Sequence, residues 1–511
     1  MKALRLTAVL GAAALLAGAC GDNSGGGSSG RQPVNGKTFT MAVAGDPGNL
    51  DPHFTSLTIT GQVDRFLYDS LLGFAPDGKV LPALAEKWEA TGTTAKFTLR
   101  KGVTCADGSP LTASTVAGNI SFVGDVKNGS TRVGTFVPAG AKATADDATG
   151  VVTVTSPSPD AFLDRNLGGL PIVCEQGMKD RGKLKQSSDG TGMYKLSEAV
   201  PDDHYTLVRR KEYAWGPGDF KAGTVGLPDT VVIKVIANEA TAANLVLSGG
   251  VNAARFTGPD SQRLQGSDYV KRDILAPTGE MWFNQKTGLP TADLGLRTAL
   301  IKSVDLKQMQ QVYTSGRGSA PTGLVAPAMS PCKGDTVTGD LPAFDPAAGK
   351  AALAGKKLTV AWAATGSPGA QAAAELLQQQ WQAAGAQIQL KSVTATQVGQ
   401  IAAGQLAWDV ALFPIGVTLP SQLVPYLSGP TPPNGTNFSS FDNKDYLAAV
   451  AAAQKQPGDG GCAQWNAAEK AVIRHVDLVP FASANAPVVA KGADLDLSQG
   501  DIDPASIRML G

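Results

Sequence analysis

Interleaved helix and strand patterns predict a mixed α/β protein. Three observations carry this expectation. Segments of period two alternate with segments of helical spacing along the whole body. Residues 356–413 read as an unbroken β-α-β-α-β unit, the pattern of an open sheet with crossover helices. Hydrophobic residues make up 43% of the 511, enough for large cores. At about 150 residues per domain, that length suggests roughly three domains or lobes.

In chain order, residues 37–44 (KTFTMAVA) alternate as a strand. Residues 61–73 (GQVDRFLYDSLLG) place Val63, Phe66, Leu67 and Leu71 at helical spacing. Short strands bounded by Gly and Pro follow at 96–100 (KFTLR) and 150–155 (GVVTVT), and again at 204–210 (HYTLVRR) and 229–236 (DTVVIKVI). Asp107-Gly108 before Ser109-Pro110 is a tight turn, with Gly supplying positive φ, and Thr112 is placed to cap the next helix. In the last third, 356–363 is a strand and 370–384 (AQAAAELLQQQWQAA) a helix, with Leu377 and Trp381 on one face and Gly385 as its stop. Then come strand 386–393, helix 394–404 and strand 408–413 (WDVALF). Ligands of such sheets bind beyond the carboxyl ends of the strands, so the loop after Phe413 (PIGVTLPSQ) is a ligand-facing candidate.

Composition excludes several functions. Lys+Arg 44 balances Asp+Glu 44, and charged residues are 17%. There is no basic excess for nucleic acid, and no apolar run of about 20 residues after the N-terminus for a polytopic membrane protein. Residues 1–19 (MKALRLTAVLGAAALLAGA) read as an export signal: Lys2 and Arg5, an apolar stretch, then small residues. LLAGAC resembles a bacterial lipobox, which makes Cys20 a lipidation candidate, and 20–35 is then a Gly/Ser-rich flexible tether. Loss of Lys2 and Arg5 leaves 42 basic against 44 acidic residues, a mature charge of −2.

Cys105, Cys174, Cys332 and Cys462 form no CxxC or Cys/His cluster, so neither a metal nor another cofactor is expected. An even count in an exported chain suggests two disulfides. Three pairings are possible, and sequence neighbourhood favours Cys105–Cys174 with Cys332–Cys462. His53, His204 and His475 share no ligand spacing and read as surface or hydrogen-bonded residues. GGSSG at 26–30 matches the nucleophile-elbow pattern but lacks the strand before it and the helix after it. Asp46 and Asp51 each precede a proline, which is ordinary turn usage. No catalytic residue is predicted, and the chain reads as a binding protein and not an enzyme.

Several segments in order resemble a known family: LPALAEKWEATGTTAKFTLRKGVTCADGSPLTASTV (81–116), with NLDPHF (49–54) and LYDSLLGFAPDGKVLP (67–82) before it. Further stretches are 190–213, 229–254, MWFNQ (281–285), LRTALIKSVDLKQM (296–309), GRGSAPTGLVAP (316–327), NFSSFDN (437–443) and VPFASANAPVV (479–489). Together they are similar to the bacterial extracellular solute-binding proteins of family 5, the oligopeptide, dipeptide and nickel receptors of ABC importers. The resemblance implies a two-lobed, periplasmic-binding-protein-like (type II) fold with an extra subdomain on the N-terminal lobe. Lobe I would be 36–60 with 190–275 and 476–511, the subdomain 61–189, and lobe II 276–475. Implied partners are a small peptide-like solute and ABC permease subunits, with the receptor a monomer that meets the membrane through its N-terminal lipid. It would lie on the extracellular face of the cytoplasmic membrane or in the periplasm. The alternative is an exported module that senses or signals without transport.

In peptide-binding members, the loop after the strand matching WDVALF carries a Gly-Trp and then an Asp that pairs with the peptide's amino group. Here Pro414 stands near the expected Trp and Val417 near the expected Asp, and no acid lies between Asp409 and Asp442. A buried ammonium without a counter-charge is costly. The cleft candidates are Phe54 and Leu57 from the first lobe, Trp282, Phe283 and Asn284 near the crossover, and Phe413, Ile415 and Val417 from the second. This set suggests an uncharged, partly apolar solute or a blocked peptide. Trp88 and Phe97 are expected in the core, and Arg297 as a solvated or hinge-pairing charge.

Overall fold

The structure, a computed structural model, describes residues 31–511 apart from 56–57, 274 and 364–368. The expected signal, Cys20, most of the tether, the GGSSG segment and Leu57 lie outside the described residues. Two large sheets organise the chain. The first has seven strands in the order Tyr269–Arg272, Val488–Lys491, Ala253–Arg255, Thr38–Val43, Thr230–Val235, His204–Arg209 and Tyr194–Val200. Thr38–Val43 lies at its centre, parallel to both neighbours. Period-two alternation explains its place: Phe39, Met41 and Val43 enter the main core, while Ala42 packs on the other face against helix Glu239–Ser248.

The second sheet has six strands: Gly318–Ser319, Leu478–Asn485, Leu275–Phe283, Val410–Leu412, Lys357–Ala363 and Gln387–Val393. Its last three strands are the predicted β-α-β-α-β unit. Lys357–Ala363 pairs in parallel with both Gln387–Val393 and Val410–Leu412, and helix Ala370–Ala383 ends before Gly385 at φ +100°. The chain passes between the sheets twice, just before Leu275 and between Asn485 and Val488. The second passage corrects the expected lobe boundary at 476. Leu478–Asn485 pairs along Leu275–Phe283 and so belongs to the second sheet.

A four-stranded sheet, Ala85–Ala90, Thr94–Leu99, Val151–Thr155 and Lys142–Asp146, forms the subdomain with helix Ala113–Gly124. Phe97 is buried in its core and Trp88 packs against it. Thr112 caps the helix by accepting from Thr115 N at 3.1 Å. The disulfides pair Cys105–Cys174 and Cys332–Cys462, the first within the subdomain segment and the second within the second lobe.

Two local readings change. The helix expected over 61–73 runs Thr58–Leu67 and stops there, because the Leu67 carbonyl accepts from Gly192 N at 3.1 Å and a β-carbon on Gly192 would collide with that backbone. The next residues turn into strand Leu72–Phe74. Arg297 is not solvated. It is buried, donating to the carbonyls of Val476, Thr291, Ala292 and His475 and pairing with Asp477 at 3.3 Å.

The subdomain also reaches the second lobe. Phe162, fully buried, joins that lobe's apolar core with its ring 6.0 Å from Trp465. Around it, Gly458 N donates to Ala161 O at 2.7 Å, Arg165 pairs with Asp459 at 2.9 Å, and Gln422 Nε2 donates to Asn166 Oδ1 at 3.0 Å. Phe162→Ala should remove about 3–5 kcal/mol of packing at this junction. Urea denaturation should show a lower midpoint. Small-angle scattering should show a larger radius of gyration with unchanged far-UV circular dichroism, and an unaltered radius would mean that Phe162 does not hold the two parts together.

Candidate functional site

One cavity of about 610 Å³ takes its walls from both sides of the molecule, within the size range of small-molecule sites. From the first side come Thr58, Gly61, Asp64, Arg65 and Tyr68, on one face of helix Thr58–Leu67 and the residue after it, together with Arg132, Thr135 and Phe136 of the subdomain. From the second side come Ala276 and Pro277, Leu324 and Ala326, and the loop Ile415–Leu419 with Gln422 and Tyr426.

The loop after strand Val410–Leu412 therefore faces the cavity through Ile415 and Val417, with Gly416 and Thr418. It is anchored from behind. Glu280, wholly buried, accepts from Ile415 N at 3.0 Å and from Trp282 Nε1 at 3.2 Å on the same oxygen, Oε2. Trp282 Nε1 also donates to Phe413 O at 3.0 Å. Burial pushes the Glu280 carboxyl up to about 8, against the pull of the Ile415 and Trp282 donors. Trp282 stacks near Phe413 and Phe441, with centroids 6.1 and 6.0 Å away, and lies 5.0 Å from Phe438.

The other sequence candidates sit elsewhere. Trp282 and Phe413 support the loop but do not line the cavity. Phe283 follows Trp282 in the strand, so the pleat turns it to the opposite face, against helices Leu294–Lys302 and Ala370–Ala383. Asn284 is buried with its side chain between Trp408 O, at 3.1 Å, and Lys286 N, at 3.2 Å. Phe54 packs edge-on to Phe122, at 6.0 Å, beneath the Arg181 guanidinium, itself paired with Asp51. Of the three histidines, His53 is fully buried with Nε2 3.0 Å from Pro171 O, whereas His204 and His475 lie beside surface carboxylates.

The structure adds charge that the sequence reading did not place in the cleft. Asp64, Asp69, Asp501 and Asp503 line the cavity, as do Arg65, Arg132 and Arg165. Most have partners. Asp69 accepts from Tyr213 Oη, Thr191 Oγ1 and Trp215 Nε1, each at 3.0 Å. Asp501 pairs with Arg255 at 3.2 Å and Arg65 at 3.5 Å, and Asp503 caps Ala505 N at 3.0 Å. Asp64 differs: it is 3% exposed, and neither carboxylate oxygen has a partner among the described residues. Burial raises it well above the usual carboxylate range, opposed by the Arg132 charge. Arg132 is held by Nε donation to Pro52 O at 2.9 Å and lies 5.2 Å over Phe136. The signal for Asp64 is present in the sequence, since 61, 64, 65 and 68 share a helix face, but apolar spacing alone passes over it. Arg132, in an irregular segment pinned to Pro52 and His53, has no such signal. Among the described residues no three His, Cys, Asp or Glu side chains gather as a metal site, and no helix is long and apolar enough to cross a membrane.

Two lobes with a cavity between them define a solute-binding protein of the periplasmic type. Residues 79–434 match the family described as bacterial extracellular solute-binding proteins, family 5 Middle, and the chain belongs to that family. Its fold is similar to that of a substrate-binding protein from Microbacterium hydrocarbonoxydans solved with 4-hydroxybenzoate hydrazide, at TM-score 0.78 and 26% identity over 93% of this chain and 100% of that one. It is also similar to a dipeptide-binding protein from Pseudoalteromonas sp. SM9913 solved with Met-Leu, at TM-score 0.75 and 19% identity over 93% of this chain and 100% of that one, a likeness of fold alone. Among curated proteins, the dipeptide-binding protein DppE of Bacillus subtilis is 25% identical over 56% of this chain, so the match spans only 55% of that relative's length. The glutathione-binding protein GsiB of Shigella flexneri is 25% identical over 81% of this chain and 82% of its own.

Glu280 yields a pH test. An unfolded glutamate loses its proton near pH 4.3, while the native carboxyl keeps it to about 8. The native state binds more protons between these values, so this group's contribution to stability falls as pH rises from about 4.5 to 8 and levels off above. Glu469, half-buried and raised by desolvation, acts in the same direction. Glu280→Gln keeps an acceptor for Ile415 N and removes the titration. Thermal melts at pH 5 and pH 8 should differ less in the variant than in the wild type, and equal differences would show that Glu280 does not titrate in this window.

Proposed function

We propose that this chain is the extracytoplasmic receptor of an ABC importer. It captures a small peptide-like, uncharged or N-blocked solute between its lobes and delivers it to the permease. It works as a monomer, without a cofactor and without catalysing a reaction. The observation that carries this reading is a cavity with walls from both lobes, joined by two chain passages that can serve as a hinge. Ligand then favours the closed state by its differential affinity for it. The lobes assigned to this motion are 36–60, 190–275 and the end of the chain after Asn485 on one side, and 276–485 on the other, with 61–189 as the subdomain. The dipeptide-binding and glutathione-binding relatives support a peptide-like solute. The absence of an acid between Asp409 and Asp442 argues against capture of a free amino terminus by the second-lobe loop.

A thermal-shift screen of the purified chain against blocked and free peptides, opines, sugars and metal chelates should give at least one saturable shift. Binding contributes about 2.7 kcal/mol at a hundredfold excess over Kd. No shift from any compound would count against the receptor reading. Anchoring is tested separately. Cys20→Ser should move the protein from the membrane fraction to the medium or periplasm, and retention on the membrane would exclude lipid attachment at Cys20.

A further inference from the structure

Gln422 lies in the short helical turn Pro420–Leu423, directly after the cavity-facing loop. Its side chain is buried, and both ends of the amide are used. Oε1 accepts from Thr418 N at 2.9 Å and from Leu419 N at 3.2 Å, which holds the last residues of the loop. Nε2 donates across the junction to Asn166 Oδ1 of the subdomain at 3.0 Å, with Thr135 O at 3.4 Å beside it. Backbone N–H groups can only donate, so they fix which end of the Gln422 amide is oxygen and leave Nε2 for the subdomain. Asn166, also buried, is set by Asp160, whose Oδ2 accepts from Asn166 Nδ2 at 2.7 Å, so the Asn166 oxygen is the end that meets Gln422.

Resting on the receptor reading, we propose that Gln422 is a positioning residue that couples the form of the ligand-facing loop to closure of the lobes. One planar amide makes both sets of bonds. The loop amides that hold Oε1 therefore also aim Nε2 at Asn166, and a loop that leaves its cavity-facing form turns Nε2 away from the subdomain. In the other direction, a junction that opens gives Nε2 to water and removes a restraint on the loop. Glu280 holds the far end of the loop, at Ile415 N, from within the second lobe, so the link to the first side is made at the 418–422 end. Coupling of this kind is reciprocal. A solute seated on Ile415 and Val417 favours the closed junction, and the closed junction favours the loop form that seats the solute. A solute that fills the cavity without seating the loop closes the lobes less.

The test is hydrogen–deuterium exchange of the purified full chain without solute, read by mass spectrometry at two places. Segment 415–421 holds the Thr418 and Leu419 amides. Segment 456–460 holds the Gly458 amide, which crosses the junction to Ala161 O at 2.7 Å. Gln422→Glu keeps an acceptor for the loop but sets an oxygen against Asn166 Oδ1. It should speed exchange of the Gly458 amide by about threefold to tenfold. Asn166→Ala changes only the subdomain side and should speed exchange of the Thr418 and Leu419 amides by a similar factor. Adding Asn166→Ala to Gln422→Glu should give no further increase, since both remove the same bond. Melting temperatures show whether the variants are folded, and if Gln422→Glu is not, Asn166→Ala decides alone. Exchange as in the wild type at 415–421 in folded Asn166→Ala, or at 456–460 in folded Gln422→Glu, would make Gln422 a local cap of the loop and overturn the coupling. Full, separate increments in the double variant would overturn it as well. None of these measurements uses a solute, so the coupling can fail while the receptor reading stands or falls on its own thermal-shift screen.

Discussion

The cleft depends on one buried hydrogen-bond knot. Glu280 Oε2 receives both Ile415 N–H and Trp282 Nε1–H, and the same indole N–H reaches Phe413 O. Strand Leu275–Phe283 leads out of the passage between the sheets, and loop 413–417 leads into the cavity. The knot therefore ties the position of the ligand-facing loop to the segment about which the lobes would move. A buried carboxyl has few ways to be satisfied. Here Oε2 takes the backbone and indole donors, while Oε1 is buried without a partner among the described residues.

The pleat decides which neighbouring residues share this arrangement. Trp282 and the loop residues Phe413 and Val417 fall in one apolar cluster. Met281 and Phe283 fall in the other, beneath the crossover helices. A run such as Met281-Trp282-Phe283-Asn284 thus cannot act as a single ligand-facing patch. Alternate side chains in a strand point to opposite faces.

This sets how much was legible in the sequence. The β-α-β-α-β unit, the strand of residues 37–44 and the Thr112 cap follow from local periodicity and capping chemistry, and the structure reproduces them within a few residues. The cavity-facing loop was legible too, because ligand position in open sheets follows strand direction. The charged wall was not. Asp64 sits in a helix whose apolar residues alone were used to recognise it, and Arg132 reaches the cavity only because segment 130–132 folds onto Pro52 and His53. Helix Thr58–Leu67 and residue 132 are far apart in sequence, and no pattern in one stretch of chain shows which charges share a cavity.

The protein's own contacts across the cleft also bear on the solute's role. Phe162 in the second lobe's core, the Arg165–Asp459 pair and the Gln422–Asn166 bond join the two sides through protein groups alone. In the proposed receptor, such contacts would set the balance between open and closed forms before any ligand arrives. A solute shifts that balance only by what it adds to the closed form beyond the open one. Groups already satisfied by the protein, such as Asp69 and Asp501, have little left to give. The differential must come from groups the protein leaves unsatisfied and the apolar surface of loop 415–419. Under the proposed receptor reading, the apolar loop on the second side, with Ile415 and Val417 facing the cavity, is then the surface left to enclose the solute.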